Sequence, residues 1–532
     1  MKVVIADHLP ASAVAVLAAE PDWQIDAVAG RTRAELLDAL ADADALVVRS
    51  ATRVDADLIA AGPRLRVIAR AGSGVDNVDI EAASSRGILV LNAPGVNSIS
   101  VAEHAFALIL ALARSIAAAD AAMKQGRWEK KHLVGAELRG KGLGVLGLGR
   151  IGRELAARAH GFGMTVRAHD PFIASHVAED LDIELVSLED LLATSDYLSL
   201  HLPSTASTAH ILDARRLATA KRGIRIINTA RGSLIDEAAL VAAIESGHVA
   251  GAGLDVFDRE PPVGSRLVSL PQVVATPHIA ASTVEAQELV GIETLTSVRD
   301  YLRDGVVRSA VNFPSISAEE FKRLQPYVAL AAGLGAFIAQ LANGRTEAVG
   351  IRYYGDLTKG NSELLATAVL VGVFRTILGR TITPVNARAI AEERGIEIIE
   401  SRSSRHRAFT SLLSVKLHTS TGERWVEGTA LERAGSRLVL IDGIAVEVPL
   451  EGTMLVIRND DRPGVIGDVG TILGRHGVNI ANFTLGRGTR GAIGVVSVDD
   501  RDDEPGTGTL TPAMLEEIAA SPAVNDVRLI TI

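Results

Sequence analysis

Three polar side chains in the middle of this chain each follow an apolar, strand-like run. Arg231 closes Ile226-Ile-Asn-Thr-Ala-Arg231-Gly, Glu260 lies in Gly253-Leu-Asp-Val-Phe-Asp-Arg-Glu260-Pro-Pro, and His278 lies in Ala275-Thr-Pro-His278-Ile-Ala. Together they suit one reaction, removal of a hydride from a secondary alcohol. A base must take the hydroxyl proton, and imidazole titrates near neutrality. A carboxylate beside it fixes the tautomer and favours the imidazolium that forms. A guanidinium fork holds a substrate carboxylate through both oxygens and so aims the C–H bond. These residues predict His278 as acid/base, Glu260 as its partner and Arg231 as the carboxylate clamp. Any one alone reads as a surface charge, a loop cap or a structural histidine. What links them is a shared position after strands, where open α/β sheets bind ligands.

A hydride needs an acceptor, and Lys141-Gly-Leu-Gly-Val-Leu-Gly-Leu-Gly-Arg-Ile-Gly152 offers it a place. The segment reads as a buried strand, then Gly147, Gly149 and Gly152 in G-x-G-x-x-G spacing, then a helix from about Arg150. The first glycine permits the turn, the second lets backbone approach a pyrophosphate, and the third lets helix and strand pack closely. The helix start supplies unpaired N–H groups for phosphates. The next strand, Met164-Thr-Val-Arg-Ala-His-Asp170, ends in an acidic residue at ribose distance. A carboxylate there bonds a 2′-hydroxyl and repels a 2′-phosphate, so Asp170 predicts NAD rather than NADP.

The elements that must position these groups can be traced outward. Residues 3–6, 45–49, 66–69 and 88–92 read as short buried strands alternating with helices, which predicts a parallel sheet covered on both faces. A long helix over 98–124 leads into the glycine segment. Strands over 197–201, 225–228, 251–255 and 273–276 continue the alternation. A helix over 282–302 and a strand over 306–311 then return to the first sheet. The expected fold is α/β, with two Rossmann-like lobes, the nucleotide lobe inserted in the substrate lobe and the site in the cleft between them. The expected boundaries are 1–97 with 283–312 for the substrate lobe and 98–282 for the nucleotide lobe. A mixed α/β region follows over 318–446. Residues 452–532 read strand, helix, strand, strand, helix, strand, the ferredoxin-like order, with a solvated acidic loop over 499–508.

Composition sets the outer limits. The chain has 532 residues, 48% of them hydrophobic but only 3% aromatic, so its cores must be aliphatic. A net charge of −10 argues against general binding to nucleic acid or anionic membranes. With no cysteine, disulfides, thiolate metal sites and a cysteine nucleophile are excluded, and no metal site is expected. The first residues lack a signal-peptide pattern, so a cytoplasmic location is expected. The longest uncharged apolar stretch, 327–342, falls short of the ~20 residues a membrane span needs and predicts a buried helix.

The arrangement resembles the D-isomer-specific 2-hydroxyacid dehydrogenases. The likeness rests on Val48-Arg-Ser-Ala-Thr-Arg-Val, Ala69-Arg-Ala-Gly-Ser-Gly-Val-Asp-Asn-Val-Asp, Asn92-Ala-Pro-Gly-Val-Asn-Ser-Ile-Ser-Val-Ala-Glu-His, the glycine segment, Asn228-Thr-Ala-Arg-Gly and Pro277-His-Ile-Ala-Ala-Ser-Thr. These stretches cover residues 1 to about 312. The resemblance implies the same trio, Arg231, Glu260 and His278. For the cofactor it implies Arg150 and Ile151 at the pyrophosphate, Leu202 and Pro203 on the adenine side, and Ser73, Thr229, Ala230, Asp255, Ala280 and Ala281 near the nicotinamide. For the substrate it implies Arg49, Arg70 and Asn97 around a phosphate, with Lys130 and Lys131 of a neighbouring subunit as further candidates. The nearer likeness is to the long branch of the family. That branch oxidises D-3-phosphoglycerate to 3-phosphohydroxypyruvate with NAD, at the start of phosphorylated L-serine synthesis, and implies a homotetramer.

The C-terminal half extends the likeness. Ile351-Arg-Tyr-Tyr-Gly-Asp and Thr383-Pro-Val-Asn-Ala-Arg-Ala-Ile-Ala-Glu-Glu-Arg-Gly resemble the intervening domain of that branch. Its strand-like 441–450 run has no basic residue, so a structural role is expected. Asn459-Asp-Asp461-Arg-Pro-Gly464-Val with Gly477-Val-Asn479-Ile resembles an ACT domain, a small regulatory module that binds amino acids. Asp461 and Asn479 are the implied contacts for an L-serine effector. Two other readings fit the trio. One is a dehydrogenase of a different 2-hydroxy acid, such as glycerate, hydroxypyruvate or 2-hydroxyglutarate. The other is a nicotinamide-sensing corepressor, which would need a peptide-binding groove.

Overall fold

The computed structural model describes every residue except 315, 317, 360, 361, 379–381, 406, 407, 432–434, 490 and 499–509. The acidic loop expected over 499–508 therefore lies outside the described residues. The fold is mixed α/β, with four sheets among the described residues.

The first sheet has five parallel strands in the spatial order Gln24–Ala27, Lys2–Ile5, Ala45–Val48, Val67–Arg70, Leu89–Leu91. Ala45–Val48 is buried at every position, as a strand covered on both faces requires. Gln24–Ala27 escapes a reading by hydrophobicity because it is a half-polar edge, Gln-Ile-Asp-Ala. The helix Val284–Asp304 returns from the second lobe and packs on Ala11–Ala18, so the first lobe draws on segments both before and after the second.

The strand expected over 306–311 is not formed. One bridge joins Leu91 to Ala310, and Val311 N–H donates to Val90 O at 2.8 Å. Ser309 takes a positive φ of 49°, which breaks the extended run. The Asn312 side chain finishes the edge instead: its Oδ1 accepts from Val90 N–H at 2.8 Å and its Nδ2 donates to Ile88 O at 2.9 Å.

The second sheet has seven parallel strands in the order Val273–Ala275, Val249–Leu254, Ile224–Asn228, Tyr197–Leu200, Gly142–Leu146, Thr165–His169, Glu184–Leu185. Chain order reverses between Gly142–Leu146 and Tyr197–Leu200. That switch point opens a crevice at the carboxyl ends of the strands, where a dinucleotide binds. The helix expected over 98–124 is two helices, Ser98–Arg114 and Ile116–Lys124, bent by 67° where Ser115 turns left-handed. The first lies against the sheet, close enough that a Cβ on Gly253 would sit 2.9 Å from Leu108 Cβ.

In the third region, Ala318–Leu341 and Ser362–Arg375 pack together over one face of a six-stranded mixed sheet. Ala318–Leu341 covers the apolar 327–342 stretch up to its last residue and meets the length and composition of a membrane span. It is packed instead in the core, where Phe337 and Ile338 are fully buried. The single strand expected over 441–450 is a hairpin. Asp442 and Gly443 both take positive φ, 47° and 86°, and reverse the chain between Gly435–Ile441 and Ile444–Pro449. Two positive φ values in an Asp-Gly pair are the signature of the tight turn that matches strand twist.

The last region is the expected βαββαβ unit, with antiparallel strands in the order Ile480–Gly488, Gly491–Val498, Thr453–Asn459, Val524–Thr531. Gln340 ties it to the third region by bonding both N–H and O of Thr531. Thr383 Oγ1 ties the third region to the first lobe by donating to Gly87 O at 2.8 Å.

Candidate active site

A cleft of about 680 Å³ opens between the two lobes. Arg231, Glu260 and His278 all line it, as do Arg49, Arg70, Ser73 and Asn97 from the first-lobe side. Ile151, Leu202, Pro203, Thr229, Ala230, Ala280 and Ala281 line it as well.

His278 leaves the strand Val273–Ala275 with a positive φ of 54°. Its Nδ1 is 2.8 Å from Glu260 Oε2, and its side chain is 51% exposed, so the ring faces the cleft. Glu260 is itself held, because its Oε1 accepts from Phe257 N–H at 3.1 Å. Asp255 lies behind this loop, fully buried. Its Oδ1 accepts from Thr276 Oγ1 at 2.6 Å and Ile279 N–H at 2.9 Å, and its Oδ2 accepts from Ala280 N–H at 2.8 Å. His104 Nε2 stands 3.4 Å from the same carboxylate. Burial pushes this carboxyl up, but the bonds from His104, Thr276, Ile279 and Ala280 outweigh burial and hold it below the usual range. Asp255 thus fixes the backbone that carries His278. A support of this kind is invisible in one sequence, since Leu-Asp-Val reads as strand end.

Arg231 follows the strand Ile224–Asn228. The Asn228 amide braces that turn, donating to Arg231 O at 2.8 Å and accepting from Ala230 N–H at 3.0 Å. Gly232 then passes so close to the Glu260 loop that a Cβ would lie 1.9 Å from the Phe257 carbonyl carbon. The guanidinium donates through Nη1 to Ala230 O at 2.7 Å, and its Nε lies 3.3 Å from Asp76 Oδ2 of the first lobe. Asp76 sits within the Ala69–Asp79 motif but was not singled out by sequence reasoning.

On the first-lobe side, Arg70 Nε is buried with no partner. Burial, then the charge of Arg231, lowers this guanidinium's pKa. Arg49 reaches His8 O at 3.4 Å, and its N–H is held by Asp7 at 2.5 Å. Ser73 Oγ donates to Asn97 Oδ1 at 3.0 Å. Lys130 and Lys131 lie in a short exposed helical turn and do not line the cleft of their own chain.

At the nucleotide end, Gly147 takes a φ of 97°, and a Cβ there would lie 2.7 Å from His201 O. A Cβ on Gly152 would lie 2.3 Å from Gly147 O, whereas Gly149 has nothing within 4 Å. The helix Arg150–Gly161 begins at Gly149 without a side-chain cap. Open N–H groups over a bare glycine fit a pyrophosphate. Thr229 Oγ1, buried and unpartnered at the cleft wall, is a further polar atom suited to a ligand. Asp170 accepts from Leu148 N–H and Phe172 N–H, both at 2.9 Å, and so braces the glycine turn. The Arg150 side chain crosses to the first lobe, donating to Pro94 O at 2.8 Å. His201 lines the same end as a neutral ring, its imidazole pushed down to about 4 by burial.

The two effector candidates do not meet. Asp461 follows the end of Thr453–Asn459 and accepts from Arg487 at 3.1 Å, whereas Asn479 precedes Ile480–Gly488. Both strands pair antiparallel with Gly491–Val498 and so run parallel to each other. Asp461 is therefore at one end of the sheet and Asn479 at the other, about 25 Å apart at ~3.3 Å per residue. Asn459, at the head of this loop, is buried with its Nδ2 unpartnered.

Fold and cleft together define a nicotinamide-dependent dehydrogenase of 2-hydroxy acids. Residues 106–280 match the NAD binding domain of the D-isomer specific 2-hydroxyacid dehydrogenases. Residues 323–442 match the D-3-phosphoglycerate dehydrogenase intervening domain, and 453–515 match the ACT domain. A D-3-phosphoglycerate dehydrogenase of Archaeoglobus fulgidus is 40% identical over 527 residues, 99% of each chain. That of Mycobacterium leprae is 43% identical over 510 residues, 95% of each chain. Among solved structures, the TT0316 protein of Thermus thermophilus is 38% identical with a TM-score of 0.54, covering 58% of this chain and all of that one. A glyoxylate reductase of Paecilomyes thermophila is 33% identical with a TM-score of 0.53, covering 58% and 98%. The chain belongs to the D-3-phosphoglycerate dehydrogenases, a branch of the D-isomer specific 2-hydroxyacid dehydrogenase family.

The buried carboxylate gives a first test. Replacing Asp255 by Asn turns an NH₂ toward backbone N–H donors and should cost about 1–3 kcal/mol of stability at pH 7. A lowered folded-state pKa stabilises above the unfolded value near 4, and that contribution is lost as pH falls through the folded value. Denaturant melts should therefore show the Asp255→Asn deficit at pH 7 narrowing below about pH 4. Equal stability of the two proteins at pH 7 would remove Asp255 from this role.

Proposed function

We propose that this enzyme oxidises D-3-phosphoglycerate to 3-phosphohydroxypyruvate with NAD, the first step of phosphorylated L-serine biosynthesis. The observation that carries the reading is one cleft holding an imidazole–carboxylate pair and guanidiniums from both lobes. In this reading 98–282 is the nucleotide lobe, and 1–97 with 283–312 is the substrate lobe. Residues 318–446 and 452–532 are the intervening and regulatory domains.

The Gly147–Gly152 turn and Asp170 would hold NAD, which would supply the hydride acceptor when bound. His278 takes the C2 hydroxyl proton at Nε2, because Glu260 commits Nδ1. The glutamate then stabilises the imidazolium. Arg231 holds the substrate carboxylate, and Arg49 and Arg70 offer charge to the phosphate, with Asn97 beside them. General acid–base catalysis of this kind is worth about 10²–10⁴-fold.

NADH formation should be measured with D-3-phosphoglycerate, D-glycerate and D-2-hydroxyglutarate, using NAD and NADP. The phosphorylated acid should lead in kcat/KM by about tenfold or more, the equivalent of ~1.4 kcal/mol, and NAD should lead NADP. Equal or faster turnover of glycerate would replace this substrate assignment, and a preference for NADP would remove the role given to Asp170.

The regulatory reading is feedback by L-serine on a cytoplasmic homotetramer. Since one domain keeps Asp461 and Asn479 at opposite ends, a site that uses both draws them from two chains. L-serine should then lower initial rates, and light scattering should find an oligomer. A monomer insensitive to serine would dismiss both the assembly and the effector.

A further inference from the structure

Asp76 is a charge in the cleft that the proposed chemistry does not use. The loop Gly72–Asp76 leaves the strand Val67–Arg70 and carries this carboxylate across to the other lobe. Its Oδ2 lies 3.3 Å from Arg231 Nε. A Cβ on Gly74 would lie 2.2 Å from Arg231 Nη2 and 2.8 Å from Asp76 Oδ2, so the glycine leaves the guanidinium room against the loop. Arg231 Nη1 bonds the carbonyl of Ala230. Two nitrogens of the guanidinium assigned to a substrate carboxylate, Nε and Nη1, therefore already face a carboxylate and a carbonyl of the protein itself.

We infer that Asp76 stands in for the substrate carboxylate: it holds Arg231 in the open cleft and gives way when an anionic substrate arrives. This rests on the reading of Arg231 as the carboxylate clamp. Physically, three guanidiniums face one cleft, and each raises the cost of charge on its neighbours. Asp76 offsets that cost, and its charge favours the charged form of the nearby Arg70. The pair is easily broken, with Asp76 75% and Arg231 33% exposed, and water screens ion pairs of that kind. A substrate carboxylate that replaces it gains a fork but must move a like charge aside. Asp76 thus sets affinity for anionic substrates downward while keeping the clamp aimed.

Oxalate tests this without turnover. Calorimetry with the full chain saturated in NADH should show Asp76→Asn binding oxalate about two- to fivefold more tightly than wild type, the range for an exposed pair. Asp76→Glu, which restores a carboxylate, should return toward wild type. KM for the substrate should fall in Asp76→Asn, with kcat moving less than KM. Oxalate binding that is unchanged, weaker or undetectable in Asp76→Asn would overturn the proposal, since a residue that only shapes the loop gives no gain in affinity. The wild-type rate on D-3-phosphoglycerate judges the proposed function, and the variant-to-wild-type ratio for oxalate judges the stand-in, so either can fail alone.

Discussion

An imidazole accepts a proton at a chosen place only when its other nitrogen is committed, and here that commitment is the bond from His278 Nδ1 to Glu260. The bond joins two loops that follow different strands, so it depends on the sheet that sets their spacing. It depends equally on Asp255, which spends both carboxylate oxygens on the loop carrying His278. Strand register, a buried carboxylate and an aligned imidazole form one chain of cause. Such support is how a site on loops acquires the precision of regular structure.

The second constraint is electrostatic. Each lobe contributes cations to the cleft, and two arginine side chains bridge the lobes, Arg150 on Pro94 and Arg231 on Asp76. A substrate anionic at both ends answers this distribution better than a single carboxylate does. The Nε of Arg70 is buried there without a hydrogen-bond partner. Arg231, which lines the cleft, is thus also a contact between the lobes.

Much of this was legible because each signal had a local steric or chemical cause. Gly147 and Gly152 are needed at those positions for separate steric reasons, a left-handed turn and a close approach of helix to strand, and both are met. The βαββαβ order of the last region was also readable, since its strands and helices have distinct periodicities. What escaped depended on conformation at single residues or on contacts far apart in sequence. Ser115 and Ser309 take positive φ with no composition cue. The Asp442-Gly443 pair did carry a turn cue, hidden inside an apolar run. Asp461 follows one strand and Asn479 precedes another, and only the pairing register shows that they sit at opposite ends. Asp255 was implied only as a neighbour of the nicotinamide and Asp76 read as a loop residue, and their structural ties emerged once their partners came into place.

The central claim is that His278, oriented by Glu260, moves the substrate proton. Its most direct measurement is turnover by His278→Asn beside NADH affinity measured on the same protein. The account predicts that kcat falls by about 10²-fold or more while the dissociation constant for NADH stays within about threefold. A variant that binds NADH normally and turns over near the wild-type rate would contradict it.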